Sequence, residues 1–168
     1  MAVGDLTAQR LRELLNYDPE TGLFTRKFKT TKAAAGAIAG GFTGDKYWII
    51  GVDGRRCLAH RLAWLYVYGC APTYGLDHIN GNRADNRISN LRDVPQLVNS
   101  QNRHAAKKGR KNDLPLGVNR ALDLVTRPYT ATIWISGERK HLGYFPTPED
   151  AHDAYLKAKR IHHEGCTI

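Results

Sequence analysis

Three observations predict an α+β protein in two halves. Short β-branched and aromatic runs alternate with turn residues through the first half. Residues 75–105 then read as strand, polar loop, strand and helix, a ββα unit. A basic segment separates that unit from a second set of strands, which ends in one amphipathic helix. The expected layout is a β-rich and helical platform leading into the ββα core, then a small three-stranded antiparallel sheet with one helix across it. The boundaries fall at 1–105, a basic linker 106–114, and 115–168.

Each element has a local reason. Thr7 suits the N-cap of a short helix carrying Leu11, Leu14 and Leu15, which stops near Asn16. The turn-rich Tyr17-Asp18-Pro19-Glu20-Thr21-Gly22 follows, then a strand over Leu23–Phe28. Residues 29–45 lack a strong period and read as loop with room for one short strand. Lys46–Val52 and Arg55–Ala59 flank Asp53-Gly54, the best short hairpin signal in the chain, because type I′ turns need positive φ. His60–Gly69 is apolar nearly all round and ends in Gly, as a buried helix does. Strands are expected at Gly75–Ile79 and Leu91–Val94, with Pro95 in the first turn of the next helix.

In the second half, Gly117–Arg120 is a short strand. Tyr129–Ser136 alternates Tyr129, Ala131, Ile133 and Ile135 against Thr130, Thr132, Trp134 and Ser136. Gly137 turns the chain into Glu138–Phe145, where Tyr144-Phe145 reads as core. Thr147-Pro148-Glu149-Asp150 starts a helix, with Ala151, Ala154, Tyr155, Ala158 and Ile161 on its inner stripe.

A net charge of +9 and a pI near 9.6 favour an anionic partner, most often nucleic acid. The charge is uneven: Arg103–Asp113 holds five basic groups against one acid, as a solvated linker or a phosphate-tracking strip would. Three scattered cysteines with no CxxC pair fit neither a disulfide framework nor a zinc knuckle. No apolar run reaches membrane-spanning length, and no signal-peptide core opens the chain. A protein of a reducing compartment is expected.

Asp77-His78 followed by an Asn-, Asp- and Gly-rich loop is the chemical centre of the sequence. An imidazole near neutral pKa can take a proton from water as a general base. A carboxylate (Asp77) and an amide oxygen on the following helix (Asn99) suit one hard cation. On a strand, neighbouring Asp77 and His78 point to opposite sides. Asn82, Asp85, Asn86 and Asn90 suit a loop whose side chains bond nearby backbone. His60 at the start of its helix reads first as a satisfied structural residue, with a ligand or a phosphate contact as the alternative.

Asp77-His78-Ile79-Asn80-Gly81, Asp85-Asn86-Arg87, Ser89-Asn90-Leu91-Arg92 and Asn99 together resemble HNH endonucleases of the phage and homing type. His60-Arg61-Leu62-Ala63 and the Tyr17–Gly22 turn share that resemblance, which spans roughly residues 10–105. It implies Asp77 and Asn99 as ligands of Mg²⁺ or Mn²⁺, His78 as base, and Asn90 as the brace of the loop. Asp93 stands where a Trp is frequent in that family. Gly117-Val118, Tyr129–Ile133, Gly137–Phe145 and Ala151…Ala154-Tyr155 resemble the AP2 DNA-binding domain over about 115–165. There the matching outward positions are Asn119, Thr132, Trp134, Arg139 and His141.

A metal-dependent DNA endonuclease follows from these resemblances, with double-stranded DNA as partner, no small-molecule cofactor, no membrane and a monomeric state. It would work in the bacterial cytoplasm, whether phage-encoded or bacterial. Further DNA contacts are expected from Arg55, Arg56, His60, Arg61, Arg87, Arg103, Lys107, Lys108, Arg110 and Lys111. The rival expectation is a non-cleaving DNA-binding or regulatory protein that keeps the same scaffold. An RNA-directed nuclease is open as well.

Overall fold

Helix α1 (Ala8–Leu14) begins where Thr7 Oγ1 accepts the Arg10 N–H at 3.1 Å. It ends earlier than its apolar pattern suggested. Leu15–Tyr17 is strand β1, paired antiparallel with β2 (Phe24–Arg26) so that Tyr17 lies opposite Phe24. The turn between them is therefore a hairpin turn. We obtained these features from a computed structural model, which describes residues 6–31, 33–42, 44, 47–103, 113–121 and 125–168.

The loop after β2 carries the bridge Thr25–Ile38 and the two-residue strand β3 (Gly41–Phe42). Strands β4 (Trp48–Val52) and β5 (Arg55–Leu58) form the expected hairpin, with Asp53 at φ 45° and Gly54 at φ 75°. Arg10 clasps the turn from α1, its Nε and Nη2 donating to the two Asp53 carboxylate oxygens at 3.0 and 3.1 Å. Helix α2 (Ala59–Tyr68) buries Leu62, Ala63 and Leu65 and closes on Gly69. Its outer side is open: Val67 and Tyr68 are exposed, so the helix is buried on one side only. Leu11, Leu15, Phe24, Ile50 and Leu62 form the heart of this core.

Strands β6 (Gly75–His78) and β7 (Leu91–Val94) pair antiparallel, with a 3₁₀ turn at Ile88–Asn90 in the intervening loop. Asp93 accepts the backbone N–H of both Thr73 and Tyr74, which pins the approach to β6. A carboxylate where an indole is frequent thus serves as a loop clamp. Helix α3 (Gln96–Gln101) comes next along the chain.

The chain divides into two compact units, Met1–Gln96 and Leu97–Ile168. The second holds a sheet in the order β10-β9-β8, from β8 (Val118–Arg120), β9 (Tyr129–Ile135) and β10 (Glu138–Phe145). Helix α4 (Pro148–His162) crosses that sheet, burying Ala151 and Tyr155 against Val118, Ala131 and Ile133. Two details differ from the sequence pattern. Ile161 is 75% exposed, and Lys159 is the buried residue of that last turn, its Nζ donating to the Arg103 carbonyl at 2.6 Å. Tyr144 faces outward, while Phe145 packs on the core. A bulge between His141 and Gly143 shifts the register there, so adjacent positions no longer follow one alternation.

The C-terminal residues close against the start of this unit. Gly165 N–H donates to Gln101 Oε1 at 3.0 Å, and the Thr167 hydroxyl bonds Asn102. Among the described residues no helix is long and apolar enough to cross a membrane.

Candidate active site and nucleic-acid face

Antiparallel pairing puts Asp77 directly opposite Arg92, and His78 opposite Leu91. The register explains the first contact of the site. Arg92 Nε and Nη2 both donate to Asp77 Oδ2, at 3.0 and 2.8 Å. Asp77 and His78 are 8% and 6% exposed, so this corner is largely shielded from bulk water.

Among the described residues, Asn86, His60 and Tyr47 meet the His78 ring. Its Nε2 lies 3.3 Å from Asn86 Oδ1. Asn86 Nδ2 donates to the Ala84 carbonyl at 3.3 Å, which turns Oδ1 towards the imidazole. An amide oxygen facing Nε2 favours the Nε2–H tautomer, which leaves the basic lone pair on Nδ1. The His60 ring meets His78 edge to face with centroids 5.1 Å apart. Tyr47 lies 5.5 Å from His60 and 6.5 Å from His78, and the Arg83 guanidinium caps the Tyr47 ring at 4.8 Å.

Burial is the main force on both imidazoles. It pushes His60 down to about 3, with the neighbouring His78 and Arg61 acting in the same direction. It lowers His78 as well, against the opposing pull of the Asn86 bond and of the Asp77 and Asp85 carboxylates. Both rings are therefore neutral at pH 7, and a neutral imidazole can accept a proton.

Asn90 ties the loop together. Its Oδ1 accepts the Asn80 N–H at 3.0 Å, and its Nδ2 donates to Asn80 Oδ1 at 3.0 Å and the Asp85 carbonyl at 2.8 Å. Arg87, expected at DNA, pairs with Asp85 at 2.6 Å and holds that carboxyl below its usual range. Asn99 lies on α3, in the second unit. Arg55 and Arg56 are exposed on β5, Arg61 is half-buried on α2, and Arg103 is exposed beyond α3. His60 is 7% exposed. Lys107, Lys108, Arg110 and Lys111 lie outside the described residues.

The second unit gathers its predicted residues on one face. Cross-strand pairs Arg139–Trp134, His141–Thr132 and Tyr144–Thr130 all point away from α4. Asn119 Nδ2 donates to Thr132 Oγ1 at 3.4 Å, and His141 Nδ1 is 3.0 Å from Thr130 Oγ1. Trp134 is 63% exposed, which excludes a core role for its ring. Tyr144 joins them, its ring 4.6 Å from His141.

Sequence reasoning left Asn86, Tyr47, Arg83 and Arg92 without a role at the site. Arg92 could have been found by pairing the two expected strands so that Asp77 met a cation. The other three depend on loop geometry that no local pattern carries.

Residues 57–101 match the model of the HNH endonuclease family, a span running from the end of β5 through α3. A solved structure of the HNH homing endonuclease I-HmuI, described for its DNA binding and cleavage, also aligns. It shares 22% identity over 90% of this chain and 88% of that one, with a TM-score of 0.42. No curated protein matches the chain.

Proposed function

We propose that the protein is a metal-dependent HNH-type DNA endonuclease. The observation that carries this is a buried His78, next to Asp77 and bonded through Nε2 to Asn86, inside a segment that matches the HNH endonuclease family. In this reading His78 Nδ1 takes a proton from the attacking water. Asn86 and Asn90 hold the ring and its loop in place before substrate arrives.

Asp77 and Asn99 would hold the cation. Both are hard oxygen donors, which suits Mg²⁺ or Mn²⁺ over a thiophilic metal. Among the described residues no group of three or more His, Cys, Asp or Glu could cage a metal, so the remaining ligands would come from phosphate oxygens and water. When bound, such an ion stabilises the charge that develops on the phosphate and the leaving 3′ oxygen. The products are a 5′ phosphate and a 3′ hydroxyl.

Residues 115–168 act in this reading as a DNA-binding domain, joined through the basic segment 106–114 to the nuclease half, 1–105. The shared outward face of Asn119, Thr132, Trp134, Arg139 and His141 supports it, with polar and stacking groups side by side and Arg139 able to meet phosphate. One active site per chain favours nicking by a monomer.

One observation favours the rival. Arg92 neutralises Asp77 through Oδ2, a pairing that a non-cleaving DNA-binding scaffold would also keep. Supercoiled plasmid incubated with the protein and Mg²⁺, or with EDTA, separates the two. Open-circle product that needs the metal supports a nickase, and linear product a double-strand cutter. A gel shift with no cleavage under any divalent metal would overturn the enzyme in favour of the binder.

A further inference from the structure

The Tyr17–Gly22 turn has no part in the chemistry so far, yet both of its ends touch the loop that holds His78. The turn is bonded within itself. Gly22 N–H donates to the Asp18 carbonyl at 2.8 Å, and Asp18 N–H to the Leu23 carbonyl at 3.0 Å. The Asp18 carboxylate receives the Glu20 N–H at 2.9 Å and the Thr21 hydroxyl at 2.7 Å. Those bonds are sufficient to close β1 onto β2.

The outward contacts are additional. Tyr17 Oη donates to the Asn86 backbone carbonyl at 2.8 Å, across 69 residues of sequence. Its ring is fixed against Phe24 and Tyr66, at centroid distances of 4.8 and 5.7 Å. Burial pushes its hydroxyl up to about 12, so it stays a donor at every working pH. At the other end, Gly22 sits at φ +72°, and a Cβ there would lie 2.4 Å from Arg87 N and 2.5 Å from the Asn86 carbonyl carbon. Only a residue without a side chain allows that approach. The turn therefore holds the Asn86-Arg87 peptide from two sides. Asn86 is itself 3% exposed, and its side chain is the one that reaches His78.

We propose that this turn is a positioning element of the cleavage site: Tyr17 and Gly22 fix the Asn86 peptide, and Asn86 in turn fixes the plane and tautomer of the His78 imidazole. The inference rests on reading His78 as the base. At 3.3 Å the Asn86–His78 bond is at the long end of its range, so small shifts of Asn86 weaken it steeply. A turn that served only its own hairpin would need neither the Tyr17 hydroxyl nor the close approach of Gly22.

The test uses full-length protein and two readouts. The ¹⁵N signals of the His78 ring report its tautomer, and plasmid nicking with Mg²⁺ reports kcat and KM. Tyr17→Phe keeps the ring packing and removes only the hydroxyl. In the wild type the Nε2–H form should dominate; in Tyr17→Phe the Nδ1–H form appears, kcat falls about tenfold and KM is unchanged. In an Asn86→Ala background the same change should have no further effect on either readout, as two residues on one path require. Gly22→Ala should act in the same direction, and if it fails to fold Tyr17→Phe decides alone. A Tyr17→Phe protein that loses only thermal stability, with His78 signals and kcat as in wild type, would overturn the proposal. Wild-type nicking by His78→Ala would instead remove the base assignment, while the ring signals of the other variants still report whether the turn sets His78.

Discussion

His78 and Asp77 adjoin in sequence, but each depends on a different distant partner. His78 relies on Asn86, and His78→Ala should lower cleavage at least about 100-fold while a gel shift with the same DNA persists. Equal nicking rates in the two proteins would end the assignment. Asp77 relies on Arg92. Arg92→Ala leaves a shielded carboxylate without its bidentate donor and should cost about 1–3 kcal/mol in urea unfolding. His60 makes a pH prediction with a definite sign. Its folded value is about 3 against an ordinary 6.5, so between those limits the unfolded chain binds more protons. Stability is then full above about pH 6.5 and falls with acid, by up to about 1.4 kcal/mol per pH unit from this one group. The groups facing it are His78, Tyr47 and Arg61. Urea midpoints at pH 7 and pH 5 should differ less in His60→Asn than in wild type.

Among the elements, the clearest were those whose reasons are local. The Asp53-Gly54 hairpin, the Gly69 helix end and the α4 start all follow from short-range rules, and all are present. Thr147 Oγ1 accepts the Asp150 N–H at 3.1 Å, so Thr147→Ala should destabilise by about 1 kcal/mol in thermal melts. Gly117 is the sharper test. It has φ +82°, and a Cβ would fall 2.1 Å from the Tyr155 ring. Gly117→Ala should therefore cost at least about 2 kcal/mol, and amide exchange should quicken in β8, β9 and α4. Elements governed by distant neighbours were less legible. Leu15 and Asn16 continue the helical pattern, yet Leu15–Tyr17 pairs as a strand, with Tyr17 packed against Phe24 and Tyr66. Lys159 lies off the expected apolar stripe of α4, yet it is buried, with the Arg103 carbonyl as acceptor for its ammonium.

For the whole molecule, the DNA binding proposed above would be strongly salt-dependent at a net charge of +9. With six to ten phosphate contacts, affinity should fall on the order of 10³-fold or more between 50 and 200 mM salt. Arg139→Ala should weaken binding and flatten that slope by about one unit, measured by fluorescence anisotropy on a duplex. An unchanged slope would remove Arg139 from the DNA face. The sequence alone determined much of this protein: most of its strands, the Asp77-His78 pair, and the alternation that sends Thr132 and Trp134 to one face of β9. Those features depend on residue type, periodicity and turn chemistry, which act over a few residues. Only the tertiary structure decided that Asp77 pairs with Arg92, that His60 is buried against His78, and that Asn86 faces the imidazole. It also decided that a turn near residue 20 supports Asn86 from two sides. Such contacts join residues from 8 to 69 positions apart, and they arise only once strand register and core packing have brought the loops together.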